Sequence, residues 1–373
     1  MNGLRIVSFL PAATEILSAL GLEDQLVGRS HECDYPPSVQ DKPVVVRPAI
    51  PLKGLSQHSV DDAVRERLHS GASLYSVDEN LLRELAPDLI LTQDLCQVCA
   101  PSGNEVTQAL RSLPKTPRVL YLTPKTLDEI FQNVRALAAV TDCVAFAEQL
   151  ITSWQSRLDA IADAARGLKR RRVFFMEWLD PIYCGGHWMG EMIEIAGGVD
   201  ALARKGGDSV RVCWEEIVAW LPEVIIVSPC GMDLARTLDL APQLLTLPAW
   251  SELPAVKQSR VFAVDANSYF ARPAPRVIEG VELLAHLIHP EAFEWRGSRT
   301  AFAQVKTRRC ESCNELFVCC GNGCWCGKVA VSAAALDELG RQYGDCLCPN
   351  CLNKWEERED TDAVTKGARN EKL

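Results

Sequence analysis

Two segments of this chain repeat one another. Leu85-Ala-Pro-Asp-Leu-Ile-Leu and Trp220-Leu-Pro-Glu-Val-Ile-Ile each run from a helix-like pattern through a proline and an acidic residue into a wholly apolar run. Proline stops the helix. A strand apolar at every position needs cover on both faces, which is the habit of parallel strands in α/β sheets. One such pattern predicts an α/β unit, and two predict a pair of similar lobes.

The flanking segments agree. In the first half, apolar runs at Leu4–Phe9, Gln25–Gly28 and Arg118–Leu122 alternate with helical patterns at Pro11–Leu20, Leu81–Leu85, Val106–Leu113 and Leu127–Val140. In the second, strands at Val173–Met176, Pro222–Ser228 and Val261–Val264 alternate with helices at Met189–Ala196, Trp214–Trp220 and Pro275–Leu287. Between them, Asp142–Leu168 lacks Pro, lacks Gly until Gly167, and repeats apolar residues at Val144, Leu150, Ile151, Trp154, Leu158 and Ile161. That spacing predicts one long helix, with Lys169–Arg172 complementing its C-terminal dipole. The expected partition is an N-terminal lobe over 1–141, a bridging helix over 142–170, a C-terminal lobe over 171–292, a linker over 293–309, a cysteine-rich module over 310–355 and a disordered tail over 356–373. The fold class is α/β: two Rossmann-like lobes with parallel sheets, plus the small module.

The 373 residues carry a net charge of −10, which disfavours nucleic acid and anionic membranes as partners. No run of eighteen apolar residues marks a membrane span. Ile6–Leu10 is too short for a signal-peptide core and ends at Pro11, so a cytoplasmic location is expected. No phosphate-binding loop, nucleophile elbow or dinucleotide fingerprint is present, and nothing requires turnover.

Ligands of open α/β sheets bind beyond the carboxyl ends of the strands. The loops there carry His31, Glu32, Cys33, Asp34 and Tyr35; Gln93, Asp94, Cys96 and Cys99; Glu177, Trp178, Asp180, Tyr183, Cys184, His187 and Trp188; Cys230; and Asn267 and Tyr269. If the lobes face each other, these converge on one cleft with aromatic walls and scattered polar groups, suited to a sizeable organic ligand. His31, His187 and the cysteines also suit a metal. Cys143 and Cys213 read as small buried hydrophobes.

Ser8-Phe-Leu-Pro-Ala-Ala-Thr-Glu15, Asp34-Tyr-Pro-Pro37, Pro87-Asp-Leu-Ile-Leu and the long helix together resemble the cobalamin- and iron-siderophore-binding proteins of ABC importers, over about residues 4–290. The resemblance implies two lobes clamping a ligand with little hinge motion and no chemistry. Where the family's cobalamin binders place aromatic side chains around the corrin, this chain has Glu32, Gln93 and Glu177, with Trp178, Tyr183, Trp188 and Tyr269 close by. The family docks on its transporter through a carboxylate on each lobe; Glu215 matches the second, and Asn80, beside Glu79, falls at the first. The expected ligand is cobalamin or a related corrinoid or metal–tetrapyrrole. His31 or a cleft Cys is the candidate axial ligand, and Asp34, Asp180 and Asn267 are candidate partners for peripheral amides. The competing reading is a metal-trafficking protein or enzyme that holds a bare ion in the Cys/His/Glu-rich cleft. A third is an interaction adaptor whose module contacts protein.

Nine of the sixteen cysteines lie between Cys310 and Cys351. In a reducing compartment such clustering points to metal rather than disulfides. Cys310, Cys313, Cys319, Cys324, Cys326, Cys346, Cys348 and Cys351 resemble a bacterial cysteine-rich CWC module, with Cys320 the extra residue. Eight thiolates suit two structural zinc ions with four ligands each.

Overall fold

A computed structural model describes residues 3–50, 54–70, 72–93, 109–111, 113–320 and 325–355. Half of the expected helix over Val106–Leu113 lies outside these residues, Ala109–Arg111 being helical, and the expected disordered tail over 356–373 lies wholly outside them. Two six-stranded sheets organise the chain. In the first, the strands run in the order Tyr75–Val77, Val44–Pro48, Leu26–Ser30, Ile6–Ser8, Leu89–Thr92, Arg118–Tyr121. All neighbours are parallel except the Val44–Pro48 and Tyr75–Val77 pair. In the second, the order is Gly198–Val199, Arg171–Leu179, Val224–Val227, Val261–Val264, Phe302–Gln304, and Ile182–Cys184 folds back on Arg171–Leu179.

The repeated apolar runs became central strands. Every residue of Leu89–Thr92 and of Val224–Val227 is buried. Ile225 is paired with Phe174 on one side and Val261 on the other. Burial on both faces is what the absence of a polar alternation demanded.

The long helix spans Val144–Ala165, about 33 Å. It starts late because Asp142 takes a left-handed backbone conformation, φ 57°, which separates it from the helix Leu127–Val140. Ala147, Ile151, Trp154, Leu158, Ile161 and Ala165 form its buried stripe. The helix packs on Leu127–Val140 of the first lobe and on Met189–Ile195 and Val277–Ile288 of the second. Phe131 stacks on Trp154 with ring centres 6.3 Å apart. One apolar cluster therefore runs from Ile6 and Ile16 through Ile151 and Trp154 to Met192 and Val281. Each large side chain buried there contributes about 1.5–3 kcal/mol, so the lobes share a core and do not swing freely on a linker.

The expected linker over 293–309 needs correcting. Phe302–Gln304 adds an antiparallel edge strand to the second sheet, and Lys306–Arg309 forms a hairpin with Leu316–Cys319. A three-residue, half-buried strand carries too little periodicity to be read from sequence. The cysteine-rich module is docked on the second lobe: Val305, Val318 and Cys320 join that lobe's core, and the Trp250 indole N–H donates to Thr307 Oγ1 at 3.0 Å. Cys320, the extra cysteine, is thus a core residue. Cys213, expected to be buried, is instead exposed at the start of Trp214–Trp220, where its N–H donates to Glu216 Oε2 at 2.8 Å.

Candidate functional site

The carboxyl ends of the strands enclose a cavity of about 70 Å3. Gln93, just beyond Leu89–Thr92, lines it from the first lobe. The second lobe contributes Glu177, Gly186, His187 and Trp188, then Ser228 and Cys230 beyond Val224–Val227. Phe175, Met189 and Phe270 complete its apolar wall. No Lys or Arg is among the lining residues described.

Glu177 is half-buried in the cavity wall. Ser209 Oγ donates to its Oε1 at 2.8 Å and the Gly186 N–H to its Oε2 at 3.2 Å. Burial raises its pKa above the usual carboxylate range, and those two donors only partly oppose the rise. Gly186 is required here: a Cβ would stand 2.4 Å from the Ser209 nitrogen and push the donor loop away. His187 has Asp208 Oδ1 at 3.2 Å from Nε2; burial lowers its pKa, against the pull of that carboxylate. Ser228 Oγ is buried and has no hydrogen-bond partner.

Two polar clasps hold the lobes together around this cavity. In the first, Glu15, 3% exposed, accepts from Arg276 Nε at 2.8 Å, and Arg272 Nη1 stands 3.5 Å away. Arg272 also forks onto Asp34 and donates to the Glu32 carbonyl at 3.1 Å. The Arg276 guanidinium lies 4.0 Å from the centre of the Tyr35 ring. Burial raises the Glu15 carboxyl above its ordinary range, while Arg276 and Arg272 pull it back. In the second clasp the helix Gln57–His69 reaches across. Gln57 Oε1 accepts from the Leu179 N–H at 3.1 Å, Asp61 pairs with Arg211 and accepts from Tyr183 Oη at 3.2 Å, and His58 meets Asp180 at 3.3 Å. Pockets for organic ligands run to about 300–1,000 Å3. The cavity between the clasps is smaller than that range.

The expected cleft residues divide by position. Gln93, Glu177, His187, Trp188 and Cys230 line the cavity. Glu32, Asp34, Tyr35, Asp180 and Tyr183 belong to the clasps. His31 pairs with Glu32 at 3.7 Å and is not among the described lining residues. Trp178 donates to the Asp180 carbonyl at 3.1 Å, and Asn267 lies in the helical turn Ala266–Tyr269 with its N–H on the Met232 carbonyl. Three further residues are buried and are not among the described lining residues: Cys33, Cys184 and Tyr269. Cys33 is fully buried, accepts from Thr14 Oγ1 at 3.0 Å, and burial pushes its thiol up to about 11, so it stays protonated. Cys184 is likewise fully buried with its pKa raised by burial. Tyr269 stands edge-on to Trp295 at 5.8 Å. Asp94, Cys96 and Cys99 lie outside the described residues. Arg272, Arg276, Gln57, Asp61 and Ser209 went unread, because side chains of that kind look like solvated surface until their partners are placed.

In the module, Cys310, Cys313, Cys348 and Cys351 bring all four sulfurs within 4.8 Å of one another. Cys313 Sγ and Cys348 Sγ are 3.6 Å apart. A regular tetrahedron with zinc–sulfur bonds of about 2.3 Å has an edge of about 3.8 Å, so the donor set fits zinc. Burial works against ionisation of Cys310, but N–H groups of Cys348, Cys313 and Ser312 outweigh it and hold the thiol at about 6. Among the described residues this is the single group of three or more metal-type ligands so gathered. Cys319, Cys326 and Cys346 stand outside it, and Cys324 lies outside the described residues.

The periplasmic binding protein family model matches residues 6–268. The chain belongs to that family. As a periplasmic binding protein it is built to hold a solute between two lobes, and its relatives are solute-binding proteins rather than enzymes. It is 27% identical over 282 residues to the vitamin B12-binding protein of Vibrio cholerae, covering 74% of this chain and 86% of that one. It is 28% identical over 299 residues to an ABC transporter substrate-binding lipoprotein of Bacillus subtilis, covering 78% and 81%. The crystal structure of the Vibrio cholerae vitamin B12-binding protein superposes with a TM-score of 0.54 at 25% identity, covering 77% of this chain and 96% of that one. A periplasmic heme-binding protein from Pseudomonas aeruginosa shares the fold, with a TM-score of 0.60 at 17% identity over 80% and 96% of the two chains. Among the described residues, no helix is long and apolar enough to cross a membrane.

Proposed function

We propose that this periplasmic-binding-protein chain binds cobalamin or a related corrinoid between its lobes, without chemistry. The observation that carries the reading is the cavity at the strand ends, walled by Trp188, Phe175 and Phe270, in a chain that aligns along 74% of its length with a vitamin B12-binding protein. A bare ion in the cleft is less well supported, because the metal-type ligands that converge among the described residues do so in the module. The module in turn holds structural zinc, the first ion on Cys310, Cys313, Cys348 and Cys351, with Cys319, Cys324, Cys326 and Cys346 left for a second. Thiolates of that kind need a reducing compartment, which favours the cytoplasm. Glu215, exposed in the first turn of Trp214–Trp220, is the candidate contact for a transporter or corrinoid-handling partner.

The test is titration of the full-length protein with hydroxocobalamin, cobinamide, haemin and zinc, followed by absorbance and calorimetry. Micromolar or tighter corrinoid binding is the expected result. Failure to bind any corrinoid, alongside tight zinc binding that survives substitution of the module cysteines, overturns the reading.

A further inference from the structure

A ligand that enters the cleft meets an unusual polar inventory. Glu177 is a half-buried carboxylate in the cavity wall whose side-chain contacts are two neutral donors, Ser209 Oγ and the Gly186 N–H. Among the described residues no cation pairs with it. A carboxylate offers about four lone-pair sites, so about half of its accepting capacity is left. Ser228 Oγ, in a residue 2% exposed, lines the same cavity with no partner. The guanidiniums of the first clasp, Arg272 and Arg276, are committed to Asp34 and Glu15. The cavity therefore presents unmet acceptors and, among its described lining residues, no Lys or Arg to pair with an anion.

We propose that Glu177 sets the ligand class of the cleft: it accepts hydrogen bonds from the side-chain amides of an amidated corrinoid and turns away tetrapyrroles that carry carboxylates at the same rim. The proposal rests on the corrinoid reading above. Its physical basis is general. An N–H group of a primary amide satisfies an unmet acceptor, whereas a carboxylate brings no donor and repels Glu177 wherever Glu177 is ionised. Inside a water-poor site that repulsion is much stronger than in bulk solvent. Where relatives of one fold take vitamin B12 and others heme, a single charge of this kind is a sufficient discriminator.

The experiment uses the full-length protein and three probes: cobinamide, its carboxylated counterpart cobyrinic acid, and haemin. Affinities are read from the shift of the corrin or haem absorption. Wild-type protein is expected to favour cobinamide over cobyrinic acid by about a hundredfold, the scale of a like-charge contact. Glu177→Gln keeps the shape and removes the charge. It is expected to recover about tenfold or more of the lost affinity for cobyrinic acid while cobinamide changes by less than tenfold. Ser228→Ala, which alters no charge, should weaken cobinamide a few-fold and leave the gap between the two corrinoids in place. Equal binding of both corrinoids by the wild type overturns the proposal, and so does a gap that Glu177→Gln leaves unchanged. If haemin binds as tightly as cobinamide, it is also overturned. If no corrinoid binds at all, it is the corrinoid reading that has failed.

Discussion

The buried clasp at Glu15 makes a strong claim about how a ligand gets in. Glu15 sits 3% exposed between Arg276 and Arg272, and both guanidiniums come from the opposite lobe. Glu15→Gln preserves volume and removes the charge, leaving two buried cations short of an anion. Removing one member of a buried pair costs about 3–5 kcal/mol. Because the amide oxygen still accepts one hydrogen bond and Arg272 keeps Asp34, the low end, about 3 kcal/mol, is expected. The loss should appear as a lower midpoint in urea with little change in slope. If the clasp is also the gate, the variant pays less to part its lobes, and each 1.4 kcal/mol recovered speeds opening about tenfold. Stopped-flow mixing with cobinamide should then show association accelerated by about tenfold or more. A double-mutant cycle with Arg276→Met should return a coupling of about 1.5 kcal/mol or more. Lower stability with an unchanged association rate would show that the clasp is a brace and not a gate. Unchanged stability would refute the burial argument itself.

Other expectations follow from single features. Cys313→Ser should remove one zinc per chain by metal analysis, whereas Cys320→Ser, which changes a core residue, should leave the metal count intact. Asp200 has its pKa raised by burial from 3.8 to about 6 despite N–H donors at Phe175 and Leu202. Between about pH 4 and 6 the folded protein keeps a proton that the unfolded chain has lost, so stability should fall as pH rises through that window, by up to about 3 kcal/mol, and level off above it. Asp200→Asn should flatten that slope in denaturation curves run at each pH. Glu215→Lys should leave corrinoid affinity unchanged and weaken pull-down of a transporter or corrinoid-handling partner; loss of corrinoid binding instead would place Glu215 in the fold rather than on a docking face.

How much of this was legible depended on whether a residue announces its partner locally. Leu89–Thr92 and Val224–Val227 were readable because unbroken apolar runs permit little besides a doubly covered strand. Tyr75–Val77 was not, being a three-residue edge strand, nor was Val44–Pro48, an inner strand whose Arg47 and Pro48 are exposed. The helix Gln57–His69 was missed because its sequence, QHSVDDAVRERLH, shows no apolar stripe. The rule that ligands gather beyond strand ends led to Gln93, Glu177, His187, Trp188 and Cys230. It passed over Phe175, Met189 and Phe270, since an apolar side chain that walls a cavity looks like one that fills a core.

The clasp shows the same limit from the polar side and explains why it matters. Glu15 lies inside a helix that sequence reads as apolar and buried, and its two partners follow more than 250 residues later. No local rule tells a buried carboxylate from a surface one at position 15; only the closure of two lobes supplies the cations that make its burial tolerable. The same closure leaves Glu177 without a paired cation among the described residues. Two carboxylates on either side of one cleft, Glu15 buried and Glu177 half-buried, thus have opposite fates: one is neutralised by the opposite lobe, and the other is left for a ligand to satisfy. If ligand donors meet Glu177 only when the lobes have parted, then breaking the Glu15 clasp and satisfying Glu177 are successive halves of one binding event. Substitution at Glu15 should then change chiefly the rate of entry, and substitution at Glu177 chiefly which ligand stays.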